Sequence, residues 1–337
     1  MSNYKTIKGR TIQSLASDVP TAFAGQLWYN TTSGAYKGVV GSAAWASGVN
    51  MLVPASGSGG GTGTQTSAII MATGASAQAS YTYNGTSWTS APTLSSNQSI
   101  GSAGGASSTS AIYCGGYTGP PAYSSMTRVE EFSGTAWTTN PTTLNTARKG
   151  QGGGGFTTEA VWVAAGVTHP PSPGTNLNSA ETFNGSTWTT APGTMTHARQ
   201  YVAAAGSSTA AVVAGGQIPP PYSTYDLCEL FDGSTWTAGG TLNQSRKFPR
   251  GNGTQTAAAA YGGNGPPSAP QFFTNTELFD GTSWANSVVM ATGRAEFSSA
   301  VTAPQMTAMA IGGETPSATN AVEELGMVDT VKTITTS

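Results

Sequence analysis

"ELFDGSTWTAGGTLNQSRKF" (residues 229–248) sets a Glu, a Phe, an Asp-Gly pair, a Trp and a distal Arg in a fixed order. The order recurs in "EEFSGTAWTTNPTTLNTARKG" (130–150), "ETFNGSTWTTAPGTMTHARQY" (181–201) and "ELFDGTSWANSVVMATGRAEF" (277–297). A weaker copy is "YTYNGTSWTSAPTLSSNQSIG" (81–101). Tryptophans at 45, 88, 137, 188, 236 and 284 give spacings of 43, 49, 51, 48 and 48 residues. Short apolar runs ending in Gly, such as "AIYCGG" (111–116) and "AVVAGG" (211–216), follow each Trp by 26 to 29 residues. Two ladders in phase, with a period near 50, are the signature of a repeat architecture.

Each unit reads as four strands. A run of small residues follows the Arg, then a polar turn, then the Gly-terminated strand. A loop of variable length leads to the E-x-F strand, and an Asn-Gly or Asp-Gly pair turns the chain into the Trp strand. Those pairs occur as Asn84-Gly85, Asn184-Gly185, Asp232-Gly233 and Asp280-Gly281. They suit the tight turn whose twist matches flanking antiparallel strands. Four strands repeated around an axis make a β-propeller. The fold expected is therefore all-β, with six blades. The chain opens with a Trp strand, "GSAAWASG" (41–48), and finishes with an E-x-F-type strand, "NAVEELG" (320–326), that lacks its Trp partner. The N-terminal strand is expected to complete the last blade and close the ring. Seven blades would follow if "QLWYNTTSGAYKGVV" (26–40) added more strands. The domains expected are an extended N-terminal arm over 1–38, a propeller over 39–330 and a tail over 331–337.

Composition narrows the partners. Only 8% of residues are charged, against about 25% in ordinary soluble domains. A net charge of -2 argues against nucleic acid, because phosphate neutralisation needs clustered Lys and Arg. The longest apolar stretches, such as "AAVVA" (210–214), are too short to span a bilayer, so no membrane insertion is expected. Cys114 and Cys228 match no metal or redox spacing and are expected to be buried free thiols. The N-terminus shows no apolar run of signal-peptide type. His169 and His197 are isolated, so no metal or cofactor is expected.

The double Gly followed by a loop, an aromatic and a Trp resembles the kelch repeat. More narrowly, "TEAVWVAAG…AETFNGSTWTTAPGTMTHAR" and "GTQTAAAAYGG" resemble kelch-like repeats of marine bacteriophage virion proteins, and "FAGQLWYNTTSGAYKG" (23–38) is similar to a segment near the N-termini of phage tail and fibre-like proteins. That resemblance implies a non-enzymatic virion protein, made in the host cytoplasm and released by lysis. It implies a position on the tail or fibre and a role in host-surface recognition, or else a purely structural decoration role. The arm, with Lys5, Lys8, Arg10, Trp28 and Tyr29, would attach to other virion proteins.

Three sets of residues are candidate sites. Arg148, Arg199, Arg246 and Arg294 each precede an innermost strand, so they could crowd one mouth of the channel and bind anions. Alternatively they pair with the recurring Glu130, Glu181, Glu229 and Glu277. The unit of Trp88 lacks both partners, having Tyr81 and Asn97-Gln98 in their places, which favours pairing; Glu323, with no Arg near Ala55, speaks against it. "FDGSTW" resembles the Asp box of sialidases, S-x-D-x-G-x-T-W, but the Asp-to-Gly spacing is one residue short. A glycan-degrading enzyme of that kind is the remote alternative. The loops after each double Gly should gather on one face. They carry Pro120, Pro121 and Tyr123; Pro170 and Pro171; Pro220, Pro221 and Tyr222; and Pro266, Pro267 and Phe272. Stiff loops with exposed aromatics can contact a host glycan or protein, or can simply be rigid connectors.

Overall fold

The computed structural model describes residues 12–18, 26–55, 57, 59–73, 78–119, 122–170, 174–218, 223–266 and 271–334. The described residues form strands joined by turns, with a single helical turn, the 3₁₀ segment Gln305–Thr307. The chain divides into two units: Trp45–Leu325, and Met1–Ala44 together with Gly326–Ser337. The second unit thus joins the N-terminal segment to the segment from Gly326 onward.

Within Trp45–Leu325 the repeat becomes five antiparallel sheets of four strands each. In chain order they begin with Gly60–Thr64, Ser102–Ser107, Gly152–Thr157, Ala203–Ser207 and Arg250–Thr254. Each ends on its Trp strand, as in Ala203–Ser207, Ala210–Ala214, Cys228–Phe231 and Trp236–Ala238. The first strands pack on one another in succession, which needs small residues. A side chain at Gly61 would meet the Ser299 carbonyl at 2.4 Å, and one at Gly251 the Ala204 carbonyl at 2.7 Å. A further set of strands has Met309–Ile311 paired with Val322–Glu324, and Gly48 N–H bonded to Val322 O at 2.8 Å. The Trp45 segment therefore lies next to the E-x-F-type strand that lacks its own Trp.

Recurrent contacts hold each sheet together and join it to its neighbour. In each, the E-x-F aromatic stacks on the Trp across the hairpin, with centroids 4.8 to 5.1 Å apart from Tyr83–Trp88 to Phe279–Trp284. Such a pair contributes about 0.5–1.5 kcal/mol beyond its burial. The glutamines of the polar turns reach back one sheet. Gln255 Nε2 donates to Ala211 O and Phe231 O, and Gln305 Nε2 to Ala258 O and Phe279 O. Gln65 Nε2, in the first sheet, donates to Ala308 O and Leu325 O of the last strands. Trp45 Nε1 donates to Thr276 Oγ1 at 2.9 Å, and Trp88 Nε1 to Val49 O at 2.8 Å.

In the other unit, Gln13–Leu15 runs parallel to Leu27–Asn30, which makes a hairpin with the strand beginning at Ala35. Lys37 Nζ bonds Thr333 Oγ1, and Thr330 Oγ1 bonds Val40 O. Trp28 is buried and Tyr29 half-buried, so these two build a sheet rather than an extended arm. Lys5, Lys8 and Arg10 lie outside the described residues.

Candidate binding face around the axial cavity

The arginines of the repeat are fully buried and each holds a glutamate: Arg148–Glu181 at 2.8 Å, Arg199–Glu229 at 2.6 Å, Arg246–Glu277 at 2.7 Å and Arg294–Glu323 at 2.6 Å. None of the four lines the axial cavity, so the channel-mouth expectation is corrected to an ion pair inside the sheets' edges. The pairing register also differs from the one read within a sequence phrase. Each Arg takes the Glu of the next phrase, so Glu323 has its partner after all. The Arg148 carbonyl accepts from Gly116 N–H of the preceding sheet, while its guanidinium donates to Ala165 O, Ser179 O and Glu181 of the following one. Arg246 and Arg294 repeat the arrangement. Burial lowers the Arg148 and Arg246 pKa values, and the glutamates oppose that shift. Paired in this way, the charges are spent on structure.

The position of Gln98 breaks the set. Glu130 is paired instead with Arg128 at 2.9 Å, and Gln98 Nε2 is buried without a hydrogen-bond partner. At the other end, Ala55 O accepts Gly313 N–H at 2.6 Å where the other units have an Arg carbonyl. With Ala at 55 and Tyr at 81, no ion pair is needed there.

The Asp-box-like phrase is a turn. Asp232 Oδ1 accepts Ser234 N–H and Thr235 N–H at 2.8 and 2.7 Å, and Asp280 and Asn184 do the same with their own successors. These are side-chain-capped turns that Asn and Asp both satisfy. Asp232 and Asp280 are fully exposed and held below the usual carboxylate pKa by those N–H donors.

What remains unspent lies around the axial cavity. One cavity of about 20 Å³ touches the first segment of every repeat: Gly60, Ser102, Gly152, Ala204, Arg250 and Ser299 are among its lining. A second, contiguous hollow is lined by Ile100, Gly150, Gln151, Tyr201, Phe248 and Arg250. Four of its lining residues, the rim, are in the left-handed region, at the same place in successive repeats: Ile100 (φ 58°), Gly150 (64°), Tyr201 (58°) and Phe248 (55°); Glu296 (53°) holds that place in the next repeat. Ile100, Gly150, Tyr201 and Phe248 are bonded head to tail: Gly150 N–H to Ile100 O, Tyr201 N–H to Gly150 O, Phe248 N–H to Tyr201 O. For a side-chain-bearing residue this conformation costs of the order of 1–3 kcal/mol, and such strain concentrates at functional sites. Tyr201 and Phe248 stack with centroids 4.0 Å apart.

The loops after the double glycines stand on the same side. Their bases pair with the residues just before the rim: Ser99 with Tyr117, Lys149 with Val167, Gln200 with Gln217, Lys247 with Asn264, Ala295 with Glu314. This brings chemistry together. Lys149 Nζ sits 3.7 Å above the Tyr117 ring, which lies 5.9 Å from that of Tyr123. Burial holds the Glu296 carboxyl above the usual carboxylate range, reinforced by Glu314 and opposed by Arg250 and Lys247. Burial lowers the Lys149 and Lys247 pKa values. Of the expected loop contacts, Tyr123 and Pro170 are exposed, and Pro266 and Phe272 half-buried. Pro120, Pro121, Pro171, Pro220, Pro221, Tyr222 and Pro267 lie outside the described residues. Cys114 and Cys228 are buried and unpaired, and burial raises the Cys228 thiol to about 11. Lys149, Tyr201, Phe248, Arg250 and Glu296 were not singled out by sequence. The available signal was departure from the repeat. Where Arg250 stands, the equivalent residues facing strand-end Cys114, Ala164, Ala214 and Ile311 are Ser102, Gly152, Ala203 and Ser298.

No family model matches the chain, and no curated protein does. Among 306 matching chains of solved structures is one titled "Structure of YjhT", at 14% identity and a TM-score of 0.66, covering 84% of this chain and 99% of that one. The two share a fold over that 84% of this chain. The expectation of a phage virion protein for host attachment or decoration is corrected accordingly. The fold likeness leads to that structure, and the recurring phrase is accounted for by hairpin turns, paired aromatics and buried ion pairs. A phrase used to build and pair the sheets carries no information about a particle.

Proposed function

We propose that the chain is a six-bladed β-propeller, closed by its Trp45 strand, whose rim and double-Gly loops form a carbohydrate-binding face. Closure is supported by the contacts that run from the last repeat back to the first: Gln65 to Ala308 and Leu325, Trp88 to Val49, Gly313 to Ala55. The binding reading is carried by one observation, the strained rim that presents Tyr201 and Phe248 beside Lys247, Arg250 and Glu296 in a chain otherwise poor in charge. Carbohydrates are held by aromatic faces together with a few convergent polar groups, which is what this face assembles.

A second reading has a specific support. The Glu296 carboxyl, shifted above the ordinary carboxylate range by burial and by Glu314, has the character of a proton donor, and glycoside cleavage uses a carboxyl of raised pKa with a second carboxylate. The site would then act on the glycan it holds.

The test is a glycan array probed with the full chain and with Phe248→Gly, followed by a reducing-end release assay on the strongest binder. Glycine already occupies the equivalent position at Gly150, so the variant should fold. Binding by the wild type and at least tenfold weaker binding by the variant are expected. Binding to no glycan, or equal binding by both, would overturn the reading. Release abolished in Glu296→Gln would establish the second reading.

A further inference from the structure

The cavity beneath the rim has, among its lining residues, a buried acceptor with nothing to bond. Gln151 and Ser299 are 4% and 1% exposed, and both line it. Gln151 Oε1 has no hydrogen-bond partner, although a buried acceptor without one is costly, and Ser299 Oγ lies beside the buried Tyr261 hydroxyl. The Gln151 amide cannot simply turn over, because its Nε2 donates to Cys114 O at 2.8 Å. Arg250 lines both the cavity and the hollow above it. Its Nε donates to Phe297 O and its Nη2 to Gly59 O, both neutral carbonyls. Among the described residues no carboxylate lies within ion-pair distance of it.

A residue with an unbonded acceptor, a hydroxyl-bearing residue and a cationic residue line one space, and together they define its occupant. A bare anion would meet the Gln151 oxygen, and a cation would meet Arg250. A group that both donates and accepts satisfies all three. The cavity, at about 20 Å³, has room for about one oxygen atom. We propose that this cavity is an anchoring subsite for a single sugar hydroxyl, which donates to Gln151 Oε1 and accepts from Arg250 while Ser299 Oγ completes the set. The sugar ring itself stays above, against Phe248 in the contiguous hollow. This rests on the carbohydrate reading and adds selectivity to it: the subsite recognises neutral hydroxyl rather than charge, and sugars unable to direct one hydroxyl downward are refused. In the free protein a water molecule would take the place of that hydroxyl.

The test is calorimetry with methyl glycosides of glucose, galactose, mannose and N-acetylglucosamine, together with the monodeoxy analogues of whichever binds. The proteins are the full chain, Ser299→Ala, Gln151→Leu and Phe248→Gly. Ser299→Ala removes one small hydroxyl beside Tyr261, whose own hydroxyl still donates to Met309 O, so it keeps the fold even if Gln151→Leu does not. Expected is a loss of roughly three- to tenfold in affinity for Ser299→Ala and for one deoxy analogue, with no further loss when the two are combined. If Phe248→Gly weakens binding while Ser299→Ala, Gln151→Leu and every deoxy analogue leave it unchanged, the subsite is wrong and the carbohydrate reading stands. If no glycoside binds, both fall.

Discussion

Arg294 Nη2 and Glu323 Oε1, 29 residues apart in sequence, meet at 2.6 Å with both side chains nearly or fully out of solvent. Their contact ties the linker after one Trp strand to the E-x-F-type strand of the next repeat. The Glu323 carboxylate also accepts Ala291 N–H and Thr292 N–H. The pair therefore holds two backbone segments in place as well as satisfying its own charges.

Removing one partner should cost far more than removing both. Arg294→Ala leaves Glu323 buried and uncompensated, with an expected loss of about 3–5 kcal/mol in urea unfolding. Arg294→Ala with Glu323→Ala should recover part of that loss. Equal losses for the single and double variants would show that the pair acts independently of its charges.

Gln98 marks where the ion pair was lost, and it can be restored. Arg128→Ala should cost about 1–3 kcal/mol by taking from Glu130 its charged donor. Adding Gln98→Arg should recover most of it, since Glu130 Oε2 already accepts Ser95 N–H as its counterparts accept theirs. Urea midpoints of the three proteins decide this.

The turn acid should make stability depend on pH in one direction. The Ser234 and Thr235 donors depress the Asp232 pKa in the folded state. Its contribution is present above the ordinary Asp pKa and fades as pH falls through the lower folded value. Asp232→Asn keeps the turn, as Asn184 shows, and should remove that part of the acid dependence. Asp232→Ala should lower Tm at neutral pH. The check is a series of thermal melts between about pH 2 and pH 7, the ordinary Asp pKa being about 3.9.

Glu296 should do the reverse. Its folded pKa is raised by burial and by Glu314, so the folded state binds the proton more tightly than the unfolded chain. Stability on its account is greatest below the ordinary Glu pKa and falls as pH rises toward the folded value. Glu296→Gln should flatten the fall in Tm across that window. A steeper fall would contradict the burial of this carboxyl.

How much of this was legible in sequence follows from what the repeat encodes. The Trp and Gly ladders report strands that every unit must have, so the four-stranded sheets, their order and the neighbour of the Trp45 strand could be read from spacing. The Asn-Gly and Asp-Gly turns were readable for the same reason. The register of the ion pairs was not, because Arg148 follows Glu130 within one phrase but folds against Glu181 of the next. Nor was the rim. Ile100, Tyr201, Phe248 and Glu296 share a left-handed conformation without sharing a residue type, and only Gly150 carries the usual mark of it. Arg250 was hidden by being different: a repeat search discards the residue that departs from its column, which is where specificity resides.

The most direct test of the account is a crystal structure of the full chain with the strongest array binder. The account predicts a sugar ring against Phe248, between Lys247 and Arg250, with one hydroxyl in the cavity reached by Gln151 and Ser299. A glycan bound elsewhere on the surface, with water alone in the cavity, would contradict it.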